Sequence, residues 1–358
     1  MSQRPSSEEM LAALSVVAPG NSLREGLDRI LQAAMGALVI VGDTAEVLGI
    51  CSGGFLFDAA FSPQRLSELA KMDGAIILSA DAQRIARANV HLVPDPSVHT
   101  SETGTRHRTA ERVARSIAVP VVAVSEDQRV VAVYRGTEKR TLEAVPRLLD
   151  RTNQALATLE RYKTRLDGVS GSLAALEVED LVTLRDVVTV LQRTEMVRRI
   201  ANEIGGYLVE LGTDGRLIRL QLEELMGGVE DDRRLVIRDY FHEELGWHLD
   251  ESMDALTALD TEDLLDLQAV AATLHLPDAT VTLDGGVEPR GYRLLSRIPR
   301  LPDQVVEGII DQFGSLNKIM RATIDDLDDV EGVGETRARA IKDGLSKLAE
   351  TSILDRYT

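Results

Sequence analysis

The pattern of apolar residues changes near Glu138 and divides the chain into two kinds of structure. Before this point, four short apolar runs rich in β-branched residues occur at 37–41, 75–78, 121–124 and 130–134. Runs of this composition favour strands, and helical patterns separate them. After this point, apolar residues recur at helical spacing. The sequence therefore predicts one α/β domain with a mixed sheet, followed by all-α regions.

Helices and one further short strand are predicted inside the α/β domain. Leu23 and Leu27 belong to one apolar face of a helix. Helical patterns also cover residues 62–72 and 109–117, and a strand is predicted at 47–51. The alternation of the two patterns along the chain is what favours strands and helices packed in layers.

A long amphipathic helix is predicted to leave the α/β domain, because apolar residues recur at helical spacing over 142–166. Helical periodicity then continues through residues 172–270. Breaks in it are predicted at three glycine-containing positions: 205–206, 213–215 and 227–228. Residues 277–289, which include an Asp-Gly-Gly sequence, are predicted to form a loose linker.

The net charge of −18 is concentrated in the middle of the chain. Residues 1–150 and 291–358 each carry a net charge of −2, whereas residues 151–290 carry −14. Long-range repulsion therefore does not bar either end from binding phosphate. We predict three domains: an α/β domain at 1–145, an acidic helical spacer at 146–290 and an all-α domain at 291–358.

The carboxyl-terminal segment repeats itself at an offset of 32 residues. Ile298 and Pro302 of the first copy align with Val330 and Gly334 of the second. Two helix-turn-helix units of this kind can share one core that neither could build alone. The repeat therefore predicts a tandem of helical hairpins.

The second copy contains the tripeptide Gly332-Val333-Gly334, and Thr336 and Arg337 follow on the next helix. Glycines on both sides of one apolar residue allow a tight hairpin that approaches a ligand closely. Its N–H groups and the start of the next helix then face a phosphate. The pattern resembles the helix-hairpin-helix family, which binds DNA backbone without reading sequence. The alternative is a hairpin for protein interaction, and Pro302 removes one donor from the first copy.

Two polar motifs lie within the α/β domain. Asp73 and Gly74 stand where a helix gives way to a strand, and a plain turn is the alternative interpretation. The sequence Gly-Thr-Arg-His-Arg-Thr at 104–109 leads into the next helix. Three potentially cationic side chains and two hydroxyls at a helix start predict a polyphosphate site, and a solvated basic loop is the alternative.

Together the two motifs resemble the diadenylate cyclase domain. Asp-Gly-Ala at 73–75 is followed by Gly-Thr-Arg-His-Arg at 104–108. With the helical spacer and the hairpin module, the whole chain resembles the DNA-integrity scanning diadenylate cyclases. The resemblance implies that two ATP molecules condense to cyclic di-AMP with release of two pyrophosphates, assisted by Mg²⁺ or Mn²⁺.

The resemblance also implies roles for individual residues. Asp73 would bind the metal and help to activate the attacking 3′-hydroxyl. Gly74 would allow close approach of the ribose, and Leu92 would meet the adenine. The phosphates would be held by Thr105, Arg106, His107 and Thr109. Arg108 would support the loop or the facing subunit, and Ser125 would be a further nucleotide contact.

The implied chemistry needs a second copy of the chain. Each ATP must use its own 3′-hydroxyl on the α-phosphate of the other, so two identical sites facing each other supply the geometry. We therefore expect an oligomer, and the family suggests a homo-octamer of four facing pairs. The family also suggests that branched DNA, such as a Holliday junction, binds the protein and lowers its cyclase activity.

Several other classes of protein are disfavoured. The single cysteine, Cys51, fits a reducing cytosol, and neither a signal peptide nor a membrane span is expected. We therefore expect a cytoplasmic protein that can associate with the nucleoid. His242 and His248 are too far apart for the zinc motif H-E-x-x-H, and no P-loop occurs. Two alternatives stay open, namely a catalytically inactive branched-DNA binding scaffold and a repair nuclease.

Overall fold

The structure is a computed structural model that describes residues 7–240, 249–274 and 282–357. His242 and His248 of the rejected zinc motif lie outside the described residues. Within these three ranges, no helix combines the length and the apolar character that crossing a bilayer requires.

The chain folds as two compact units. The first consists of Met1–Leu156 and Asn202–Gln221, and the second consists of Ala157–Ala201 and Leu222–Thr358. The predicted all-α regions therefore contribute to both units, while the α/β domain lies in the first. The division into three domains stays a prediction.

A mixed sheet of eight strands, in the described part of the chain, forms the centre of the first unit. The strands are β1 Ala37–Val41, β2 Cys51–Ser52, β3 Phe55–Ala60, β4 Ala75–Leu78, β5 Arg84–Leu92, β6 Val121–Ser125, β7 Val130–Arg135 and β8 Glu138–Thr141. Their order is β2-β5-β4-β1-β6-β7-β8, and β3 also pairs with β5. Only β1 and β4 are parallel among these pairs. The predicted mixed sheet is confirmed.

Helices cover both faces of this sheet. The helices of the α/β domain are α1 Glu8–Val16, α2 Ser22–Gln32, α3 Ala45–Gly49, α4 Pro63–Leu69 and α5 Thr105–Ser116. Val39 of β1 packs in one apolar core with Leu27 of α2. Ile40, its neighbour, points to the other face and packs in a second core with Val113 of α5. Each buried aliphatic side chain contributes about 1.5–3 kcal/mol to folding, so α5 is held firmly on its face.

Two local predictions in this domain were wrong or incomplete. The strand predicted at 47–51 is wrong over most of its length, because the Thr44 side chain accepts the N–H of Val47 and starts a helix that ends at Gly49. Only Cys51 of the predicted range belongs to a strand, β2. Strand β5 was not predicted, because Arg87 and His91 interrupt its apolar residues. Its buried positions alternate instead of forming a run.

Long helices follow the sheet, as predicted. They are α6 Val145–Glu179, α7 Leu184–Leu211 and α8 Arg216–Met226. The predicted break at Gly205 and Gly206 is wrong, since α7 continues through both. Burial of Ile204 and Leu208 on that helix offsets the low helix propensity of two glycines. The breaks predicted at 213–215 and 227–228 are confirmed, since a 3₁₀ turn at Gly212–Gly215 follows α7 and residues 227–228 separate α8 from the next helix.

The second unit contains the remaining helices. They are α9 Val229–Tyr240, α10 Leu249–Ala258, α11 Thr261–Leu265, α12 Leu267–Thr273, α13 Tyr292–Leu295, α14 Asp303–Phe313, α15 Leu316–Arg321, α16 Ile324–Asp328 and α17 Glu335–Tyr357.

The predicted linker at 277–289 is described from residue 282 onward, and there it is held by specific contacts rather than being loose. Asp284 pairs with Arg185 at 2.9 Å, and Gly285 accepts the N–H of Leu184.

The carboxyl-terminal repeat is confirmed in detail. Helices α13 and α14 begin 32 residues before α16 and α17. Arg300 has a φ of +64° and occupies the position of Gly332, whose φ is +82°. In each copy the following apolar residue, Leu301 or Val333, donates its N–H three residues back along the chain. The two copies share one apolar core.

Candidate functional site

Four neighbouring strands meet at one edge of the sheet. Strands β1 and β4 begin at this edge, and β5 and β6 end there. Asp73 and Gly74 immediately precede β4, Leu92 ends β5 and Ser125 ends β6. The topology of the sheet therefore brings four of the predicted site residues to the same edge.

The turn that carries Asp73 is tied to strand β5. Gly74 has a φ of +112°, and a Cβ added to it would lie 2.8 Å from the carbonyl carbon of Asn89. The amide of Asn89 donates to the backbone oxygen of Asp73 at 2.6 Å. Only glycine fits this close approach at such a φ. The Asp73 side chain is exposed, so its carboxylate is open to a ligand while its backbone is anchored.

Helix α5 presents its amino-terminal end to solvent beside this edge. Its first internal hydrogen bond runs from the N–H of Arg108 to the oxygen of Gly104, at 2.8 Å. The N–H groups of Thr105, Arg106 and His107 precede this bond and have no acceptor inside the helix. A helix start of this kind attracts anions through its free N–H groups and its dipole.

The Arg106 side chain connects α5 to the sheet edge. Its guanidinium lies directly against Gly36, where an added Cβ would overlap it. Gly36 precedes β1, which lies between β4 and β6 in the sheet. The guanidinium is therefore placed at the edge where Asp73 and Ser125 also lie.

The other predicted residues differ in exposure. Thr105 and Arg108 are exposed, and Thr109 is half-buried. The hydroxyl of Ser125 accepts the N–H of Gln128 at 3.3 Å. The side chain of Leu92 is only 6% exposed and belongs to the apolar core beneath α5.

The imidazole of His107 bonds to a side chain on the face of the sheet. Its Nδ1 lies 2.8 Å from the hydroxyl of Tyr134 on β7. Tyr134 in turn donates to Glu102 at 3.2 Å, and Lys139 donates to the same carboxylate at 2.5 Å. Sequence reasoning missed these three partners, since the register of β7 and β8 brings Tyr134 and Lys139 together beside the loop that carries Glu102.

A buried carboxylate holds the loop that enters α5. Glu111 is 7% exposed and accepts the hydroxyl of Thr100 at 2.5 Å and the N–H of Ser101 at 2.9 Å. Burial raises the pKa of Glu111, but these hydrogen bonds outweigh it and hold the pKa below its ordinary value. The carboxylate therefore stays ionised and fixes the loop in front of Gly104.

One carboxylate at the sheet edge is available to a divalent cation. In the parts of the chain with described side chains, no group of three or more His, Cys, Asp or Glu residues could hold a metal by itself. A Mg²⁺ ion is commonly held by one or two carboxylates together with the phosphates of the substrate. Asp73 beside the predicted polyphosphate site at the start of α5 fits that pattern.

The hairpin of the second copy of the repeat, Gly332-Val333-Gly334, forms a separate surface in the second unit. Val333 is buried, whereas Gly332 and Gly334 are exposed. An added Cβ at Gly334 would meet nothing within 4 Å, so the space in front of the hairpin is open. The Arg337 guanidinium donates to the oxygen of Gly332 and braces the turn, and Thr336 is exposed on the same helix start.

Three family models match successive parts of the chain. The family model described as "DisA bacterial checkpoint controller nucleotide-binding" matches residues 24–139, and that described as "DisA bacterial checkpoint controller linker region" matches 142–283. The helix-hairpin-helix motif matches residues 315–344.

Three relatives are similar over almost their whole lengths. The "DNA integrity scanning protein DisA" of Frankia alni is 54% identical over 358 residues and covers 100% of both chains. That of Kineococcus radiotolerans is also 54% identical, with 100% of both chains covered. That of Streptomyces griseus is 54% identical over 351 residues, which are 97% of this chain and 94% of the relative.

Fold, site and comparisons together define a diadenylate cyclase domain joined by a helical linker to a helix-hairpin-helix DNA-binding region. The chain belongs to the family of DNA integrity scanning proteins called DisA.

Proposed function

We propose that the sheet edge binds ATP and that two copies of the chain condense two ATP molecules into cyclic di-AMP and two pyrophosphates. The convergence of Asp73, Ser125 and the Arg106 guanidinium beside the start of α5 carries this proposal. A carboxylate next to a cation and free N–H groups suits a polyphosphate that carries a metal. We assign this reaction to the cytoplasm, where ATP and DNA are both present.

The start of α5 holds the phosphates. Arg106 provides a planar cation at the sheet edge, and Gly36 leaves the room that its guanidinium occupies. The hydroxyls of Thr105 and Thr109 and the imidazole of His107 add donors along the first turn of the helix. Arg108 is exposed and is assigned to the loop itself or to the facing copy.

The remaining residues place the nucleoside. Gly74 lets the ribose approach the backbone, Leu92 contributes to the apolar floor beneath the adenine, and Ser125 is a further contact. Asp73 would hold Mg²⁺ or Mn²⁺, which when bound would offset phosphate charge and favour ionisation of the 3′-hydroxyl. Asn89 keeps the carboxylate-bearing turn in place through the backbone of Asp73.

The reaction is completed by a second copy of the chain. The 3′-hydroxyl of one ATP loses its proton, and its oxygen forms a bond to the α-phosphorus of the other while the bond from that phosphorus to pyrophosphate breaks. The process occurs twice with two-fold symmetry. Phe55, Leu56 and Phe57 on β3 are 59%, 75% and 41% exposed. Three adjacent exposed apolar side chains are typical of an interaction surface. Phe55 pairs with Ala88 of β5, so this surface adjoins the site, and we assign it to self-association in a homo-octamer.

The carboxyl-terminal hairpin binds branched DNA, and this binding lowers the cyclase activity. Gly332, Val333 and Gly334 expose a backbone turn, and Thr336 and Arg337 stand at the start of the next helix. A Holliday junction offers several DNA backbones, so an oligomer with several hairpins gains affinity from multivalency. DNA can lower activity only if it binds differently to the active and inactive arrangements of the oligomer.

The direct test is to incubate the purified chain with ATP and either Mg²⁺ or Mn²⁺ and to measure both products. The proposal predicts one cyclic di-AMP for every two pyrophosphates. The triple variant Arg106→Ala, His107→Ala, Arg108→Ala should lose this activity, because charge-assisted contacts contribute about 1.5–3 kcal/mol each. Absence of cyclic di-AMP with either metal would instead leave a DNA-binding scaffold.

A further inference from the structure

Four polar side chains form a continuous hydrogen-bonded chain that starts at His107. The His107 Nδ1 lies 2.8 Å from the Tyr134 hydroxyl, and that hydroxyl lies 3.2 Å from the Glu102 carboxylate. Lys139 donates to the same oxygen of Glu102 at 2.5 Å, and its ammonium lies 5.6 Å from the centre of the Tyr134 ring. Tyr134 is 1% exposed, so its hydroxyl is shielded from water, whereas Lys139 at the end of the chain is partly exposed.

The direction of these bonds follows from the groups involved. An ionised carboxylate only accepts, so the single hydroxyl proton of Tyr134 is donated to Glu102. Burial, together with the negative charge of Glu102, raises the pKa of Tyr134 far above its ordinary value, so this proton stays on the phenol. The phenol oxygen can then only accept from His107, and the Nδ1 of His107 must carry a proton.

The Cδ2 edge of the His107 ring lies beside the helix start. The Cδ2 atom, which is bonded to Nε2, lies 3.9 Å from the position of a Cβ added to Gly104. Gly104 is the N-cap residue that immediately precedes α5, and the free N–H groups of the first turn are next to it. The His107 side chain is half-buried, so one edge of the ring stays accessible to a ligand.

The charge on His107 depends on its neighbours. Burial lowers the pKa of His107, and the positive charges of Lys139 and Arg106 lower it further against the opposing effect of Glu102. The unliganded imidazole is therefore neutral near pH 7.5, and its Nε2 has no proton to donate. A triphosphate brings several negative charges, which favour the imidazolium.

We propose that Tyr134 and Glu102 are positioning residues that keep a proton on the Nδ1 of His107, so that Nε2 faces the triphosphate of ATP and takes up one proton from solvent when ATP binds. The N–H bond formed at Nε2 then donates to a phosphate oxygen. This inference rests on the proposed ATP site at the start of α5. It assigns Tyr134 and Glu102 to that site although neither is expected to touch the nucleotide.

Proton uptake can be measured by calorimetry on the full-length chain with 3′-deoxy-ATP and Mg²⁺. This analogue lacks the attacking hydroxyl, so the heat reports binding without cyclisation. The binding heat at pH 7.5 is measured in several buffers of different ionisation enthalpy, and its slope against that enthalpy counts the protons taken up. His107→Gln supplies the reference slope, because it cannot take up a proton.

The inference predicts that the wild-type chain takes up more protons than His107→Gln. Tyr134→Phe removes only the hydroxyl, so it should fold, bind about three- to ten-fold more weakly and shift the pH at which uptake is half complete. Tyr162→Phe, on α6, is the matched control and should behave as wild type.

Each other result overturns the inference in a recognisable way. Equal slopes for the wild type and His107→Gln would exclude protonation of His107 while leaving the ATP site intact. Wild-type affinity and proton uptake in Tyr134→Phe would remove the role of Tyr134. Failure of the wild-type chain to bind 3′-deoxy-ATP at all would overturn the proposed function itself, and the inference with it.

Discussion

The side-chain amide of Asn89 on β5 donates to the backbone oxygen of Asp73, in the turn before β4, at 2.6 Å. Asn89 itself has a φ of +54°, which asparagine tolerates better than most residues. The opposing Gly74 has no Cβ and so allows the two backbones to approach closely. The turn that carries the proposed metal ligand is therefore fixed from the opposite strand.

Asn89→Gly should lower kcat for cyclic di-AMP synthesis and leave the KM for ATP nearly unchanged. Glycine accepts the positive φ without strain, so the variant removes the amide alone. A small displacement of a reacting group can cost up to about 100-fold in rate, and we expect a loss of about 5- to 100-fold. Steady-state kinetics, with a thermal unfolding curve as the folding check, decide the point. An unchanged kcat in a folded variant would show that Asp73 does not need this bond.

Gly36→Ala should raise the KM for ATP by about ten-fold or more. A Cβ at this position overlaps the guanidinium of Arg106, which must then leave the sheet edge. Loss of one charge-assisted contact costs about 1.5–3 kcal/mol. Gly49→Ala is the matched control, because an added Cβ there meets nothing within 4 Å. If both variants bind ATP equally well, the placement of Arg106 against Gly36 is not part of the site.

Arg293→Ala should destabilise the second unit by about 3–5 kcal/mol, because it leaves a buried carboxylate without its partner. Arg293 is fully buried and pairs with Glu177 at 2.8 Å. Chemical unfolding measures the loss, and the exposed Arg297→Ala serves as the control. Equal stability of the two variants would contradict this assignment. Removal of residues 291–358 would also remove Arg293 and leave Glu177 without its ion-pair partner. Single substitutions are therefore a better probe of DNA binding.

Gly334→Val should abolish binding of a Holliday junction and its inhibition of the cyclase while basal activity survives. The new side chain contacts nothing else in the fold, so the variant should fold, but it blocks the approach of a DNA backbone to the hairpin. Gly171→Val, on the exposed face of α6, is the control. Junction affinity and cyclic di-AMP synthesis are measured on the same preparations. Inhibition that persists without hairpin binding would place the effect of DNA elsewhere, for example at the phosphate site of α5.

Sequence could predict the parts of the site in which several polar or glycine residues follow one another along the chain. Asp73 and the cationic run at 104–109 carry charge, glycine and hydroxyl in a few adjacent positions. Gly36, Asn89 and Tyr134 carry no such signal, since each acts through the register or order of strands. Their importance depends on contacts between distant segments, which periodicity and spacing do not reveal.

The fold shows the same division. The apolar runs of β1, β4, β6 and β7 were predicted because strands buried on both faces are continuously apolar. Strand β5 was missed because polar residues occupy alternate positions, and the helix through Gly205 and Gly206 was missed because packing overrides local propensity. The 32-residue repeat was predicted because its pattern depends only on spacing along the chain.

The most direct test of the account is the rate of cyclic di-AMP synthesis by Asp73→Asn. The substitution keeps the size and shape of the side chain but replaces a carboxylate with a far weaker metal ligand. The account predicts the same oligomeric state and thermal stability as the wild type, with nearly all activity lost in both Mg²⁺ and Mn²⁺. Wild-type turnover by a folded, oligomeric Asp73→Asn chain would contradict the assignment of the sheet edge as the catalytic site.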